Sequence, residues 1–507
     1  MSKLKWPPQV KYIIGNEGCE RYSFYGMRAI LTVFMTQYLM MKADVSTEVM
    51  HAFIGASYFL PLLGAYVADR FMGRYYTILY FSLFYCAGHA TLAMFENQTG
   101  LFVGLGLIAF GAGSIKPCVS SFVGDQFKKG QEDLITKVYN IFYFSINFGS
   151  TISSLLTPLT LKWFGPSVAF GIPGILMAIA TLVFWMGRKH YVMMPPTGPD
   201  KDNFWSVLGT GIAGNLPFWL RLVIGAAVVY CWQYIWLPFS FSSLTWSQQA
   251  MEIFALTVYA GMTWAAILIA INLVSGQFMK SVRAKHAALR VEEFTAVLNV
   301  IKIFGAVSVF WSLFDQSAST WVLMAVKMKQ HVNFFGFEFD VLPSQMQAAN
   351  PILVLIMIPV FVKWIYPTID RFYKLTPLRK MTIGMFSSAV AYSTVALIQY
   401  PIDAGGEMHI LWQLVPYLLM TMSEVMVSIV GLEFAYTQAP KAVKSTVMSF
   451  WLLTVSVGSL ITIIVVQVNP FPIASGHYFM IFSVMAALTA CLFGTLARFY
   501  KPRNYLN

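Results

Sequence analysis

"ADRFMGRYYTI", residues 68–78, and "IDRFYKLTPLRKMTI", residues 369–383, decide how this chain is built. Each sets Asp-Arg-Phe and further basic residues in a short polar hairpin between two long apolar segments. A helix that crosses a bilayer needs about 20 mostly apolar residues. Working outward from the hairpins, such stretches fall near 14–41, 50–72, 75–95, 100–123, 137–161 and 168–187. After the polar loop "GRKHYVMMPPTGPDKDNFW" come two more, near 218–241 and 251–279, and then six near 296–323, 349–366, 377–399, 410–433, 444–468 and 477–499. The sequence thus predicts an all-α polytopic membrane protein with fourteen spans.

If the pair at 218–279 is an insertion, six spans remain on each side of it, and the two Asp-Arg-Phe hairpins fall at equivalent places. Two six-helix halves related by an axis along the membrane normal are the plan of a major facilitator transporter. The expected parts are 1–190, an N-terminal bundle; 191–295, a cytoplasmic linker with the inserted pair; and 296–507, a C-terminal bundle. Composition agrees, with 57% hydrophobic and 11% charged residues and mean hydropathy +0.64, against about 25% charged in a soluble domain. The net charge of +12 does not point to nucleic acid, because no basic patch interleaves with aromatics. Its distribution instead sets the orientation. With the N-terminus inside, the outside loops hold only Lys42, Lys162, Lys327 and Lys329, while Lys3, Lys5, Arg70, Arg74, Lys128, Lys129, Arg188, Lys189, Lys201, Lys280, Arg283 and Lys285 fall inside. Both termini are expected in the cytoplasm, with 188–206 and 280–295 on that side and 239–250 outside. The five cysteines are spread singly, without C-x-x-C spacing, and suggest neither a disulfide framework nor a zinc site. The basic start "MSKLKWPPQVKYIIG" reads as no removable leader.

Ionisable residues at membrane depth are costly and so are functional candidates by default. Span 1 carries Glu17, Glu20, Arg21 and Arg28, and span 4 carries Lys116. The matching spans of the second half carry Asp315 and Glu424. One half offers cations and the other carboxylates, an arrangement suited to holding a zwitterion between them. Glu17 and Arg21 are four residues apart, Glu17 and Glu20 three, and Arg28 lies two turns beyond Arg21, so all approach one helix face. The alternative is a buried ion network that only fixes helix packing. "GAGSIKPCVSSF" sets Lys116 among small residues before a proline expected to loosen the helix, as helices lining cavities often are. Tyr25 and Tyr58 are either pocket-lining or packing residues. His51, at the expected outer mouth of span 2, is either a surface residue or, if shielded, a proton acceptor.

Six stretches, in order along the chain, resemble the proton-dependent oligopeptide transporter family of the major facilitator superfamily. "EGCERYSFYG" (17–26) is similar to its E-x-x-E-R-F-x-Y-Y-G, "GAYVADRFMGRYYTI" (64–78) to its second signature, and "FYFSINFGS" (142–150) to its F-Y-x-x-I-N-x-G-S. "GSIKPCVSSFVGDQF" (113–127), "FWSLFDQSAS" (310–319) and "SEVMVSIVGLEFAYTQAP" (423–440) also fit. Tyr22 stands for Phe, and Phe24 for the first Tyr, which removes one hydroxyl from the expected pocket. The resemblance implies import of di- and tripeptides driven by protons, with no cofactor. It implies that Arg21 and Lys116 hold the peptide carboxylate, and that Glu424 and Asn147 meet the amino terminus and backbone. By the same resemblance Tyr25, Tyr58 and Trp451 line the pocket, Glu17, Glu20, His51 and Asp315 serve proton coupling, and Arg28 and Asp315 form an outer gate. The inserted pair fits fourteen-helix bacterial members in the inner membrane, and the loop "YPIDAGGEMH" leaves no room for the large extracellular domain of animal relatives. A monomer suffices for this plan, and the oligomeric state stays open.

Two rivals remain. One is a family member carrying another solute, such as nitrate or a peptide-like metabolite. The other is a polytopic membrane enzyme using the buried carboxylates, although the sequence has no H-E-x-x-H, no G-x-S-x-G and no Cys–His pairing of known spacing.

Overall fold

The computed structural model describes residues 7–127, 132–196, 204–236, 246–334, 336–438 and 444–500. Lys3, Lys5, Lys128, Lys129 and Lys201, part of the charge expected in the cytoplasm, lie outside these residues, as do 239–245 of the expected external loop. Among the described residues ten helical segments are long and apolar enough to cross a membrane, or up to twelve if each of two bent helix pairs is one span. One of the ten, Ile141–Lys189, is two spans that meet at Gly165. The first helix, α1 (Val10–Val33), is also long enough to cross, although it carries Lys11, Glu17, Glu20, Arg21 and Arg28. With those two additions the helices number the expected fourteen.

Along the first half run α1, α2 (Ala43–Phe59), α3 (Pro61–Val67), α4 (Arg74–Met94), α5 (Gln98–Asp125) and α6 (Glu132–Met186). A π-helical turn, Ala68–Met72, extends α3 to Gly73, whose φ of +76° ends the helix at the first Asp-Arg-Phe hairpin. Asn97 caps α5, its Oδ1 accepting from the Gly100 amide at 2.8 Å. Gly165, with φ +79°, breaks α6 into two spans. Two short helices and two long ones follow: α7 (Phe204–Ala213), α8 (Phe218–Trp236), α9 (Trp246–Val274) and α10 (Gln277–Lys285). The second half comprises α11 (Ala288–Phe314), α12 (Thr320–Val326), α13 (Ala349–Val360), α14 (Tyr366–Asp370), α15 (Pro377–Asp403), α16 (Leu414–Glu424), α17 (Val430–Gln438), α18 (Lys444–Val468) and α19 (Gly476–Phe499). An antiparallel hairpin that the sequence did not announce, β1 (His331–Phe334) with β2 (Phe337–Asp340), sits between α12 and α13.

Polarity is arranged as lipid requires. Large apolar side chains such as Leu83, Leu397 and Leu488 face outward, while Ser23, Thr47, His51, Asp315 and Gln316 are buried. Lipid offers no hydrogen bonds, so polar groups satisfy one another inside. The buried apolar side chains fall into two large clusters. One runs from Val10 to Tyr191 and takes in Ala318 and Val455, and the other runs from Phe204 to Phe493.

Close helix approach positions Lys116. A Cβ at Gly64 of α3 would run into the backbone of Ser114, two residues before that lysine. Gly64→Val should therefore lower the thermal midpoint of the purified protein, by an overpacking cost of about 1–3 kcal/mol. Gly106→Val should leave it unchanged, since that glycine has open space. Equal midpoints for the two variants would contradict the packing described.

The two Asp-Arg-Phe hairpins match in position but not in contacts. In the first, Arg74 Nη1 reaches both carboxylate oxygens of Asp125 at 2.6 and 2.5 Å. In the second, Asp370 Oδ1 accepts from the Leu375 amide at 2.7 Å, and Arg379 Nη1 donates to the Lys374 carbonyl at 2.7 Å.

Candidate functional site

The charges of α1 divide into two groups rather than one stripe. Near its start, Arg21 Nε lies 3.1 Å from Glu17 Oε1, and Arg21 Nη2 contacts Glu20 Oε2. Two turns on, Arg28 leaves that group and crosses to the other half, its Nη2 lying 2.7 Å from Asp315 Oδ1. Both side chains of this second pair are almost fully buried, and Asp315 Oδ2 has no partner among the described residues.

Around Arg28 the halves are stitched together. Thr32 Oγ1 donates to the Ala318 carbonyl at 2.6 Å, and Gln347 Nε2 to the Ala29 carbonyl at 3.1 Å. His51 Nε2 is 3.1 Å from Ser319 Oγ. Farther along, Gln345 Nε2 donates to the Leu155 carbonyl at 2.9 Å. These contacts lie on the side of the β-hairpin, so that end of the seam is closed. His51 is therefore no surface residue. Helix α2 begins at Ala43 rather than near 50, which carries His51 two turns into the helix and buries it against the opposite half.

Lys116 sits in the middle of an unbroken helix. Pro117, expected to loosen α5, leaves it continuous from Gln98 to Asp125. The carboxylates of the second half, by contrast, sit at changes of helix type. Helix α11 ends at Phe314 and passes into a 3₁₀ turn at Asp315–Ala318, and α16 ends at Glu424 and passes into a π-helical turn at Val425–Ile429. Both carboxylates of that half thus sit where the backbone changes pitch, a common property of functional sites.

The Lys116 ammonium lies over two aromatic rings, 4.1 Å from the centroid of Phe24 and 4.0 Å from that of Tyr58. Its Nζ is buried, with no hydrogen-bond partner among the described residues. Ring faces attract a cation but do not replace a counter-ion. Phe24, whose missing hydroxyl was expected to alter the pocket wall, is instead a buried platform beneath this lysine. It stacks on Phe53 at 5.9 Å and meets Tyr25 edge-on at 5.6 Å. Tyr25 lies near Arg21, with the guanidinium 6.0 Å from its ring centroid, and Arg28 and Glu424 also act on it electrostatically.

Across the seam, Glu424 Oε2 accepts from Asn350 Nδ2 at 2.6 Å. Asn350 was passed over in the sequence, although a lone amide opening the apolar run 349–366 was a signal of the kind applied to charges. Tyr143 brings α6 into the electrostatic neighbourhood of Glu424. Asn147, one turn on, is turned back to its own helix, donating to the Tyr143 carbonyl at 3.0 Å. Trp451 packs edge-on against Phe304 at 5.2 Å and is buried against Gly431. A second polar pair missed in the sequence joins Ser23 Oγ and His89 Nε2 at 2.8 Å inside the first bundle. The described residues hold no group of three or more His, Cys, Asp or Glu side chains able to bind a metal ion.

The family model for the POT family matches residues 75–479. The in meso crystal structure of the POT family transporter PepTSo is 41% identical and superposes with a TM-score of 0.85, covering 98% of this chain and 99% of that one. The crystal structure of an auto-inhibited POT family peptide transporter gives 41% identity and a TM-score of 0.84, over 99% of both chains. Solute carrier family 15 member 2 of Homo sapiens is 34% identical over 416 residues, which are 78% of this chain and 50% of that protein. Peptide transporter family 2 of Caenorhabditis elegans is 37% identical over 412 residues, 78% of this chain and 47% of that protein. The chain spans about half the length of the curated relatives it matches. Two six-helix bundles and an inserted pair form the major facilitator fold expected from the sequence. With the family model matching from the third span to the start of the last, the chain belongs to the POT family of transporters.

Proposed function

We propose that the protein is a proton-coupled symporter that imports di- and tripeptides by alternating access. The observation that carries this reading is the buried Lys116 ammonium, which has no hydrogen-bond partner among the described residues, set across the seam from the Glu424 carboxylate, which accepts from the Asn350 amide. A buried charge left unpaired is costly, and a free peptide supplies the missing partner at each end. Arg21 and Lys116 take the peptide carboxylate. Glu424, positioned by Asn350, takes the ammonium. Asn147 reaches the peptide backbone once it lets go of Tyr143, and Tyr25, Tyr58 and Trp451 wall the pocket. The ends of a peptide are constant while its side chains vary, so gripping the ends permits broad specificity.

Glu17, Glu20, His51 and Asp315 are the candidates for proton coupling, with Arg28 and Asp315 as the outer gate. A proton moving down ~100 mV contributes about 2.3 kcal/mol, and one pH unit adds about 1.4 kcal/mol. Together these support a few-hundred-fold accumulation of a neutral peptide per proton. Uptake of a labelled dipeptide into proteoliposomes, with and without a pH gradient and a membrane voltage, tests the coupling. Accumulation is expected only with a gradient, and accumulation that survives collapse of both would overturn the reading. Competition by nitrate but not by dipeptides would point to another solute.

The reading places the protein in a bacterial inner membrane with both termini in the cytoplasm, organised as 1–190, 191–295 and 296–507. Single-cysteine probes test the orientation. A probe at position 245 is expected to react only from outside, and reaction only from the cytoplasm would overturn it.

A further inference from the structure

The inserted pair does not end where its spans end. Helix α7 meets α8 at 88°, and α10 meets α9 at 91°, so α7 and α10 lie in the plane of the membrane. They are fastened to each other: His286 Nε2 is 2.9 Å from Thr210 Oγ1, Asn215 Nδ2 donates to Gln277 Oε1 at 2.9 Å, and Ser281 Oγ donates to Asn215 Oδ1 at 3.3 Å. Helix α10 buries Phe278, Ser281 and Val282. Lys280 and Arg283 lie on the opposite face, and Lys285, the last residue of the helix, is in line with Phe278 but extends past the packed face; all three are exposed and without an ion pair among the described residues.

Two details say what that face meets. Apolar side chains flank the helix at both ends and are left uncovered, with Val274 91% exposed before it and Leu289 66% exposed after it. Apolar residues beside cations on a helix lying flat are the pattern of insertion at the boundary between headgroups and acyl chains. The helix macrodipole favours cations in the last turn, which accounts for Arg283 and Lys285. It disfavours Lys280 in the first turn, so that lysine calls for an anion outside the helix. Span α9, at 29 residues, is about 43 Å long at 1.5 Å per residue. That exceeds the hydrocarbon core of about 30 Å and sets its end among the headgroups.

We propose that Lys280, Arg283 and Lys285 form a binding surface for anionic phospholipid headgroups, which tethers the inserted pair to one leaflet. The surface is independent of which solute the protein carries.

Native mass spectrometry of the full chain, released from micelles doped with equal phosphatidylglycerol and phosphatidylcholine, tests this. The wild type should retain phosphatidylglycerol in clear excess. The Lys280→Gln/Arg283→Gln/Lys285→Gln variant should lose about tenfold of that preference, while Lys280→Arg/Lys285→Arg keeps it. Inorganic phosphate should not displace the lipid, because it lacks acyl chains to meet Val274 and Leu289, and displacement by phosphate alone would overturn the lipid assignment. Equal retention of the two lipids by the wild type, or an undiminished preference in the triple glutamine variant, would overturn the proposal. Should that variant unfold, as read by its thermal midpoint, Lys280→Gln alone carries the test, with the same outcomes at a smaller fold-change.

Discussion

Lys116→Ala should abolish concentrative uptake of free dipeptides while leaving the protein folded. The ammonium makes no hydrogen bond and no ion pair among the described residues, so its loss removes only two cation–π contacts from the resting structure. In the loaded structure it would remove one partner of a desolvated charge pair, which costs about 2–5 kcal/mol, or roughly thirty- to several-thousand-fold in affinity. The pairing of a large functional loss with a small change in thermal midpoint separates this role from a structural one. C-terminally amidated dipeptides should compete at least tenfold more weakly than free ones against the wild type, by the same range of cost, and the difference should shrink in binding to the variant, which keeps only Arg21 for the carboxylate. Equal competition against the wild type would show that no carboxylate clamp exists.

The second large effect is expected at the closed end of the seam. Arg28 and Asp315 are buried at 2.7 Å from opposite halves, and breaking a buried pair by removing one partner costs about 3–5 kcal/mol. Arg28→Asp and Asp315→Arg should each leave like charges facing across a buried interface and force that end of the seam apart. A distance label spanning the seam, with one probe near Thr32 and one near Ala318, should report a wider, broader distribution for each single variant. The double exchange restores opposite charges and should recover the closed distance, even if transport stays uncoupled. A double variant no better closed than either single one would show that the contact is incidental to closure, since Thr32, His51 and Gln347 also bridge the halves.

What the sequence determined by itself is local or linear. Spans were legible because lipid demands an unbroken run of apolar residues wherever a helix crosses it, and that is a property of consecutive positions. The Glu17–Arg21 contact was legible because four residues make about one helical turn. The family was legible from six motifs in order. What the tertiary structure alone decided is contact between residues far apart in the chain. It carried Arg28 away from its neighbours on α1 to Asp315, 287 positions later, and set His51 against Ser319, 268 positions later. It kept α5 continuous through Pro117 and set Asp315 and Glu424 at changes of helix type, turned Phe24 into a platform under Lys116, and gave Glu424 an amide partner in Asn350. It also bent α7 and α10 nearly at right angles to α8 and α9, which the sequence did not show. No spacing rule reaches such contacts. They depend on which faces of two separately packed bundles meet, and a pairing of faces that buried Arg28 or Asp315 without the other would be strongly disfavoured.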